Sequence, residues 1–479
     1  MALSAVALLS SCGGGGSSGG SPSPPIAGPT PSPTPTPAPP PTSSCSLRER
    51  QDWAFAQLNE HYLFPELLAA NVNPDSFTTV QAYIDALVAP ARAQNKDRFY
   101  TRLSSIAADN AFLETGSSAG LGVRLATDDA ARRVLIFEAF EGAPALAAGI
   151  DRGTEILAIG TSTANLRTVD TIIATEGAAG ITAALGSNDA GVTRLLRVRG
   201  TDGAVRDVSV TKAVFNITPV SPRYGALIID EGGKKVGYLN LRAFINTAEP
   251  QLRNAFAQFK AQGISEVIVD LRYNGGGTSA AADLMNNLLL GQLTAANVMN
   301  YKVRRPSKSN LNETKFFAPQ PQSIASMKIA FIGTDSTASA SEAVMNSVIP
   351  YLREKTALIG ANTFGKPVGT GVFDRAQCDD RLIAVVFATQ NADKQGDYFD
   401  GLASRFQATC SAADDITRQL GDPQEAMIRT ALDFLAGRPC ASPISGGGIT
   451  AQGAGKASDR ELLTPTAPNA AQREMPGTF

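Results

Sequence analysis

Val267-Ile268-Val269-Asp270-Leu271-Arg272-Tyr273-Asn274-Gly275-Gly276-Gly277 opens as an unbroken apolar run and closes in three glycines. An apolar run without alternation suits a strand covered on both faces, as in a parallel sheet between helices. The glycines then read as a tight loop into the next element. Outward from this stretch, strand and helix patterns alternate. Lys235 to Phe244 reads as a strand, and Glu249 to Gln262 as an amphipathic helix with Leu252, Phe256 and Phe259 on one face. Downstream, helices are predicted over 280–290, 341–352 and 425–435, and strands over 329–333, 357–360 and 382–388. The alternation predicts an α/β domain with crossover connections over residues 216–440.

Residues 46–108 carry helical periodicity, first in Trp53, Phe55, Leu58, Tyr62 and Leu63, then around Val80, Ile84 and Leu87. Residues 109–215 change to short strands: Gly120-Leu121-Gly122-Val123-Arg124-Leu125, Val134-Leu135-Ile136-Phe137, and Gly153-Thr154-Glu155-Ile156-Leu157-Ala158-Ile159-Gly160. Between the last two lies Gly142-Ala143-Pro144-Ala145-Leu146-Ala147-Ala148-Gly149-Ile150. This order resembles a PDZ domain, with Gly120, Leu121, Gly122 and Val123 as the carboxylate loop. The resemblance implies capture of a peptide terminus: the loop offers backbone N–H groups, and the adjacent edge accepts the peptide as an added strand.

The chain has 479 residues, 42 basic and 44 acidic side chains, and a net charge of −2. At roughly 100–200 residues per domain, several domains are expected. Without a basic excess, nucleic-acid binding is a poor fit. Leu9-Ser10-Ser11-Cys12 resembles a bacterial lipobox, so residues 1–12 read as a signal remnant with lipidation at Cys12. Residues 13–45 hold eleven prolines and no charge, which predicts an extended, disordered linker. These features imply a lipid-anchored protein on the periplasmic side of a bacterial cell envelope, with no other membrane contact. No later segment reaches the roughly 18 apolar residues of a membrane helix. Residues 441–479 are small and polar and are expected to be disordered.

The remaining cysteines, Cys45, Cys378, Cys410 and Cys440, form no CxxC pair, which argues against zinc. In an exported chain they suggest two disulfides. Of three pairings, Cys378–Cys410 and Cys45–Cys440 is the expected one.

Three segments carry chemistry. Asp270 to Gly277 follows the buried strand. Ser336-Thr337-Ala338-Ser339-Ala340-Ser341-Glu342 joins a strand to a helix. Thr363-Phe364-Gly365-Lys366-Pro367 follows the next strand. Together, and in this order behind a PDZ-like region, they resemble the S41 serine peptidases, the carboxyl-terminal processing proteases and their relatives. The resemblance implies a ClpP/crotonase-like α/β core with an inserted PDZ-like domain. It further implies a Ser339 nucleophile, a Lys366 general base, and an oxyanion hole made by the N–H of Ala340 with that of Gly276 or Gly277.

Two departures from the family pattern stand out. The step from Ser339 to Lys366 is two residues longer than usual, so by spacing alone Ser341 would fit. The position four after the lysine, usually glutamine, is Thr370. Thr370 is therefore a candidate to orient the amine. Ser339-x-x-Glu342 is also a helix capping box, with Glu342 as the reciprocal partner. Asp270 and Arg272 read as loop braces.

The residue types fit the chemistry. A serine hydroxyl is a weak nucleophile and needs an adjacent base. The one histidine, His61, lies far upstream in a helical segment. Lysine can serve only when neutral, and at an unperturbed pKa near 10.4 roughly one amine in 2,500 is neutral at pH 7. Burial that brings the pKa to about 7–8 raises that to about a tenth or more. The expected function is serine-type cleavage of peptide bonds in proteins, with no metal or other cofactor. A non-catalytic peptide-binding lipoprotein, and a hydrolase of other acyl groups on the same fold, are the alternatives.

Overall fold

Strand Glu266–Asp270 lies inside a six-stranded sheet. The order across it is Ala226–Glu231, Lys234–Asn240, Glu266–Asp270, Lys328–Gly333, Thr356–Gly360 and Ala408–Ser411. All neighbours run parallel except the first pair, a hairpin. The apolar run is explained by what covers each face. Val267 and Val269 join the core under helices Ala248–Ala261, Ser279–Leu289 and Ala340–Leu352. Ile268, between them, joins the core under helix Ala426–Leu435. The computed structural model describes residues 45–444 and 460–479. The lipobox, Cys12 and the linker up to residue 44 lie outside the described residues. Among those described, no helix is long and apolar enough to cross a membrane.

A second sheet of five strands carries the chain's first helices. Leu47–His61 and Val80–Leu87 pack on Asp380–Gln390 and its neighbours through Leu58, Tyr62, Ile84 and Leu87. Two expectations for residues 46–108 change here. The first helix buries Ala54 and Leu58, whereas Phe55 is exposed. Arg102–Ser105 is a strand, paired antiparallel with Asp380–Ile383, because its edge position supplies hydrogen bonds that a helix would have to make alone. His61 stacks on Phe373 with ring centroids 4.7 Å apart.

Residues 117–216 form a small β-domain. Its main sheet places Val123–Asp128, Arg133–Ala139, Glu155–Gly160, Thr193–Arg199 and Val205–Thr211 side by side, with helix Val169–Leu185 closing the core. Buried ions join it to the α/β core. Arg152 reaches Asp414 at 2.6 Å and the Tyr273 hydroxyl at 2.8 Å. Arg242 reaches Glu138 at 2.6 Å.

The segment expected to be disordered from 441 onward is ordered where described at its end. Arg460–Leu462 adds a strand to the outer edge of Val123–Asp128, and Ala470–Glu474 is a short helix capped by Asn469. Composition missed this because its larger apolar residues are few: Leu463, Met475 and Phe479 are buried against other parts of the chain, and Leu462 is partly buried.

The disulfide pairing also differs from expectation. The bonds are Cys45–Cys378, with Cα atoms 5.6 Å apart, and Cys410–Cys440, with Cα atoms 5.1 Å apart. Cys45 precedes the first helix, which lies on the five-stranded sheet. Cys378 sits in the turn between Val368–Arg375 and Asp380–Gln390 of that same sheet. Cys410 is on the edge strand of the other sheet, and Cys440 follows the helix packed on its face. Each bond therefore closes within one layer, and neither Cys378–Cys410 nor Cys45–Cys440 forms.

Candidate active site

Three loops leave the carboxyl ends of adjacent parallel strands: Leu271–Thr278, Thr334–Ser339 and Ala361–Pro367. In open α/β sheets this is where ligands and chemistry gather. Hydrogen bonds stitch the loops together. The carbonyl of Asn274 accepts from Ala338 N–H at 3.1 Å and from the Ser341 hydroxyl at 2.9 Å. The Thr337 carbonyl accepts from Phe364 N–H at 3.0 Å. Arg98 braces the third loop from outside, stacking over Phe364 and donating to the Gly365 carbonyl at 2.7 Å.

Ser339 begins helix Ala340–Leu352 with φ 56° and ψ −114°. Positive φ is uncommon for a side-chain-bearing residue and persists only where the surroundings enforce it. Glu342 supplies part of that force, accepting the Ser339 N–H at 3.0 Å. This is the reciprocal half of the capping box. Glu342 does more than cap, however. It is fully buried and also accepts from Lys366 N–H at 2.7 Å, Gly365 N–H at 2.7 Å and the Thr363 hydroxyl at 2.6 Å. Burial pushes its carboxyl up, while these four donors pull the other way. Bonds to a charged acceptor contribute about 1.5–3 kcal/mol each. Four of them recover part of a burial penalty of several kcal/mol, and burial still holds the carboxyl above its ordinary range.

Ser339 and Lys366 line one cavity of about 240 Å³, together with Gly277, Ala340, Thr370 and Glu474. The Lys366 ammonium stands 4.7 Å from the centroid of the Tyr100 ring. Burial pulls its pKa down, and nearby Arg102 adds to this. Glu474, Asp97 and Glu342 oppose it. Thr370 reaches the cavity at an irregularity in its strand, where the pairing register shifts between Gly369 and Thr370. Ser341 does not line the cavity. It is fully buried and its hydroxyl is committed to the Asn274 carbonyl, whereas Ser339 faces the cavity.

The glycine loop closes the other side. Gly276 N–H donates to Asn274 Oδ1 at 2.9 Å, so it is already engaged, contrary to its expected place in an oxyanion hole. Its role is spatial: a Cβ there would lie 2.8 Å from the Ser339 Cβ. Among the described residues, no hydrogen bond uses the N–H of Gly277 or Ala340. Ala340 is the first residue of its helix, where backbone donors lack intrahelical partners and favour negative charge.

Asp270 and Arg272 brace the loop from below. Arg272 is fully buried and pairs with Asp270 at 2.8 Å, Glu425 at 2.9 Å and Asp414 at 3.0 Å. Asn274, Thr363 and Glu474 were not assigned roles from the sequence. Gly120 to Val123 lie in the small β-domain, apart from this cavity. Among the described residues, no group of three or more His, Cys, Asp or Glu side chains gathers to hold a metal.

Residues 235–400 match the model of peptidase family S41. A carboxyl-terminal-processing protease of Picosynechococcus is 27% identical over 261 residues, covering 54% of this chain and 57% of that one. One from Synechocystis is 24% identical over 331 residues, covering 67% and 70%. The chain thus spans little more than half the length of the first of these relatives. An S41-type protein of Bacteroides fragilis has a similar solved structure, with a TM-score of 0.62 and 23% identity, covering 80% of this chain and 97% of that one. That likeness establishes a shared fold.

Proposed function

We propose that the chain, whose residues 235–400 match the model of peptidase family S41, is a serine-type peptidase cutting peptide bonds in protein or peptide substrates. The observation that carries this reading is the double grip of Glu342, one carboxylate oxygen of which holds the backbone of both Ser339 and Lys366.

In this reading neutral Lys366 takes the proton of the Ser339 hydroxyl as the oxygen attacks the scissile carbonyl. The tetrahedral oxyanion is held by the N–H groups of Ala340 and Gly277, donors fixed before charge develops. Lys366 then protonates the leaving amine, and an acyl-Ser339 remains. Water, deprotonated by Lys366, releases the acyl group and restores the hydroxyl. Thr370, which lines the same cavity, would orient the amine.

The small β-domain acts as a PDZ-like receptor in this reading, through Gly120 to Val123. Two disulfides favour an oxidising compartment. They support, with the lipobox-like Cys12, a place in the bacterial cell envelope.

Ser339→Ala and Lys366→Ala should each abolish cleavage of a loosely folded protein such as casein. A serine-reactive probe should label the parent and not Ser339→Ala, and chelators should leave activity unchanged. Undiminished cleavage by both variants would refute the assignment.

A further inference from the structure

The groove edge of the small β-domain is already filled, and the occupant is residues 460–479 of the same chain. Arg460–Leu462 pairs antiparallel with Ala126–Asp128. The chain then leaves this edge, forms helix Ala470–Glu474, and returns to the same strand. Leu125 N–H donates to the Gly477 carbonyl at 2.8 Å, and Phe479 N–H donates to the Val123 carbonyl at 2.9 Å. The backbone oxygen of Phe479, last in the sequence, accepts from Gly122 N–H at 2.7 Å and Val123 N–H at 3.2 Å. Its side chain is buried in one core with Leu121 and Val123. Gly120 leaves room for it: a Cβ there would lie 2.6 Å from the Phe479 carbonyl carbon.

The excursion between the two strand segments enters the catalytic cleft. The Glu474 carbonyl accepts from Gly275 N–H at 2.8 Å, and Ala470 and Glu474 line the cavity that holds Ser339 and Lys366. Met475 is fully buried behind them.

We propose that residues 460–479 are a plug in cis: the segment around Phe479 docks as a ligand of the β-domain edge, and the excursion it anchors obstructs the cleft until a competing peptide with a bulky apolar residue at that position displaces it. This rests on the peptidase reading above for its effect on cleavage, but the docking itself does not. Departure of Glu474 would also remove a carboxylate that favours the charged form of Lys366. The arithmetic favours a closed resting state. A tethered ligand acts at an effective concentration on the order of millimolar. Against an intrinsic dissociation constant of roughly 10–100 μM it would weaken a competing peptide by about tenfold to a hundredfold.

The test uses the full chain and a fluorescent peptide of residues 469–479. Phe479→Asp and Phe479→Ala are each made in the parent and in Ser339→Ala. Binding of the peptide should tighten by about tenfold or more in the Phe479 variants. Amide exchange over residues 120–125 should be slow in the parent and faster in the variants, and casein cleavage should rise in those that keep Ser339. Equal peptide affinity in parent and variants, or unchanged exchange, would overturn the plug. Absence of cleavage in every form, with the binding and exchange changes intact, would instead refute the peptidase reading.

Discussion

Glu342 accepts the backbone N–H of Lys366 at 2.7 Å with the same oxygen that accepts Ser339 N–H at 3.0 Å. A single buried carboxylate therefore sets the spacing between two loops that leave different strands. Glu342→Gln keeps the volume but replaces one acceptor oxygen by an NH2 group facing backbone donors. A displacement near 1 Å at a reacting pair costs on the order of a hundredfold. The expected result is a fall in kcat of about that size with KM little changed. Steady-state kinetics on a fluorogenic peptide check it, and an unaltered kcat would remove Glu342 from the positioning role.

Lys366 sets the pH dependence. Burial lowers its pKa, with Arg102 in the same sense and Glu474, Asp97 and Glu342 against. In the proposed mechanism the neutral amine is the base, so kcat/KM should rise with pH and level off above the lowered pKa, short of the ordinary value near 10.4. Stability should follow the same direction. Between the lowered folded pKa and the unfolded value near 10.4, the unfolded chain binds more protons at this site, so its contribution makes stability rise with pH. Lys366→Met should abolish activity, flatten that slope and raise Tm near neutral pH by about 1–3 °C. A Tm lowered at neutral pH would contradict it.

Arg272 is enclosed by Asp270, Asp414 and Glu425. Removing the cation leaves buried carboxylates without their partner, a loss of about 3–5 kcal/mol. Arg272→Met should therefore unfold at clearly lower urea concentration than the parent. The midpoint of the urea transition is the measurement, and a midpoint within error of the parent's would mean the network contributes nothing net.

The Cys45–Cys378 bond fastens the start of the first helix to a turn of the five-stranded sheet. Its loss through Cys45→Ser with Cys378→Ser should cost about 2–4 kcal/mol in stability. Activity at low temperature should persist, since the Glu342 contacts do not depend on it. Thermal unfolding and peptide hydrolysis, measured side by side, separate the two effects.

The α/β core was legible because its strands are covered on both faces and its helices have one apolar stripe, so residue order alone reports burial. Ser339 and Lys366 could be singled out because each sits in a short loop at a strand end, and the structure brings both to one cavity. Glu342 was only half legible: its local capping role shows in the four-residue spacing, but its grip on Gly365 and Lys366 depends on the lateral order of strands. The disulfides were misread for the same reason, since sheet membership decides which cysteines meet. The end of the chain was misread because three well-buried apolar residues, spread over 463–479, leave no periodic trace.

Ser339 occupies a backbone region with φ 56° that glycine enters at little cost and branched side chains resist. Ser339→Gly should therefore yield an inert protein more resistant to heat than the parent, and Ser339→Thr one less resistant. Random mutation scored for stability alone would steadily discard this hydroxyl, so its retention in a population measures how much the organism depends on the reaction.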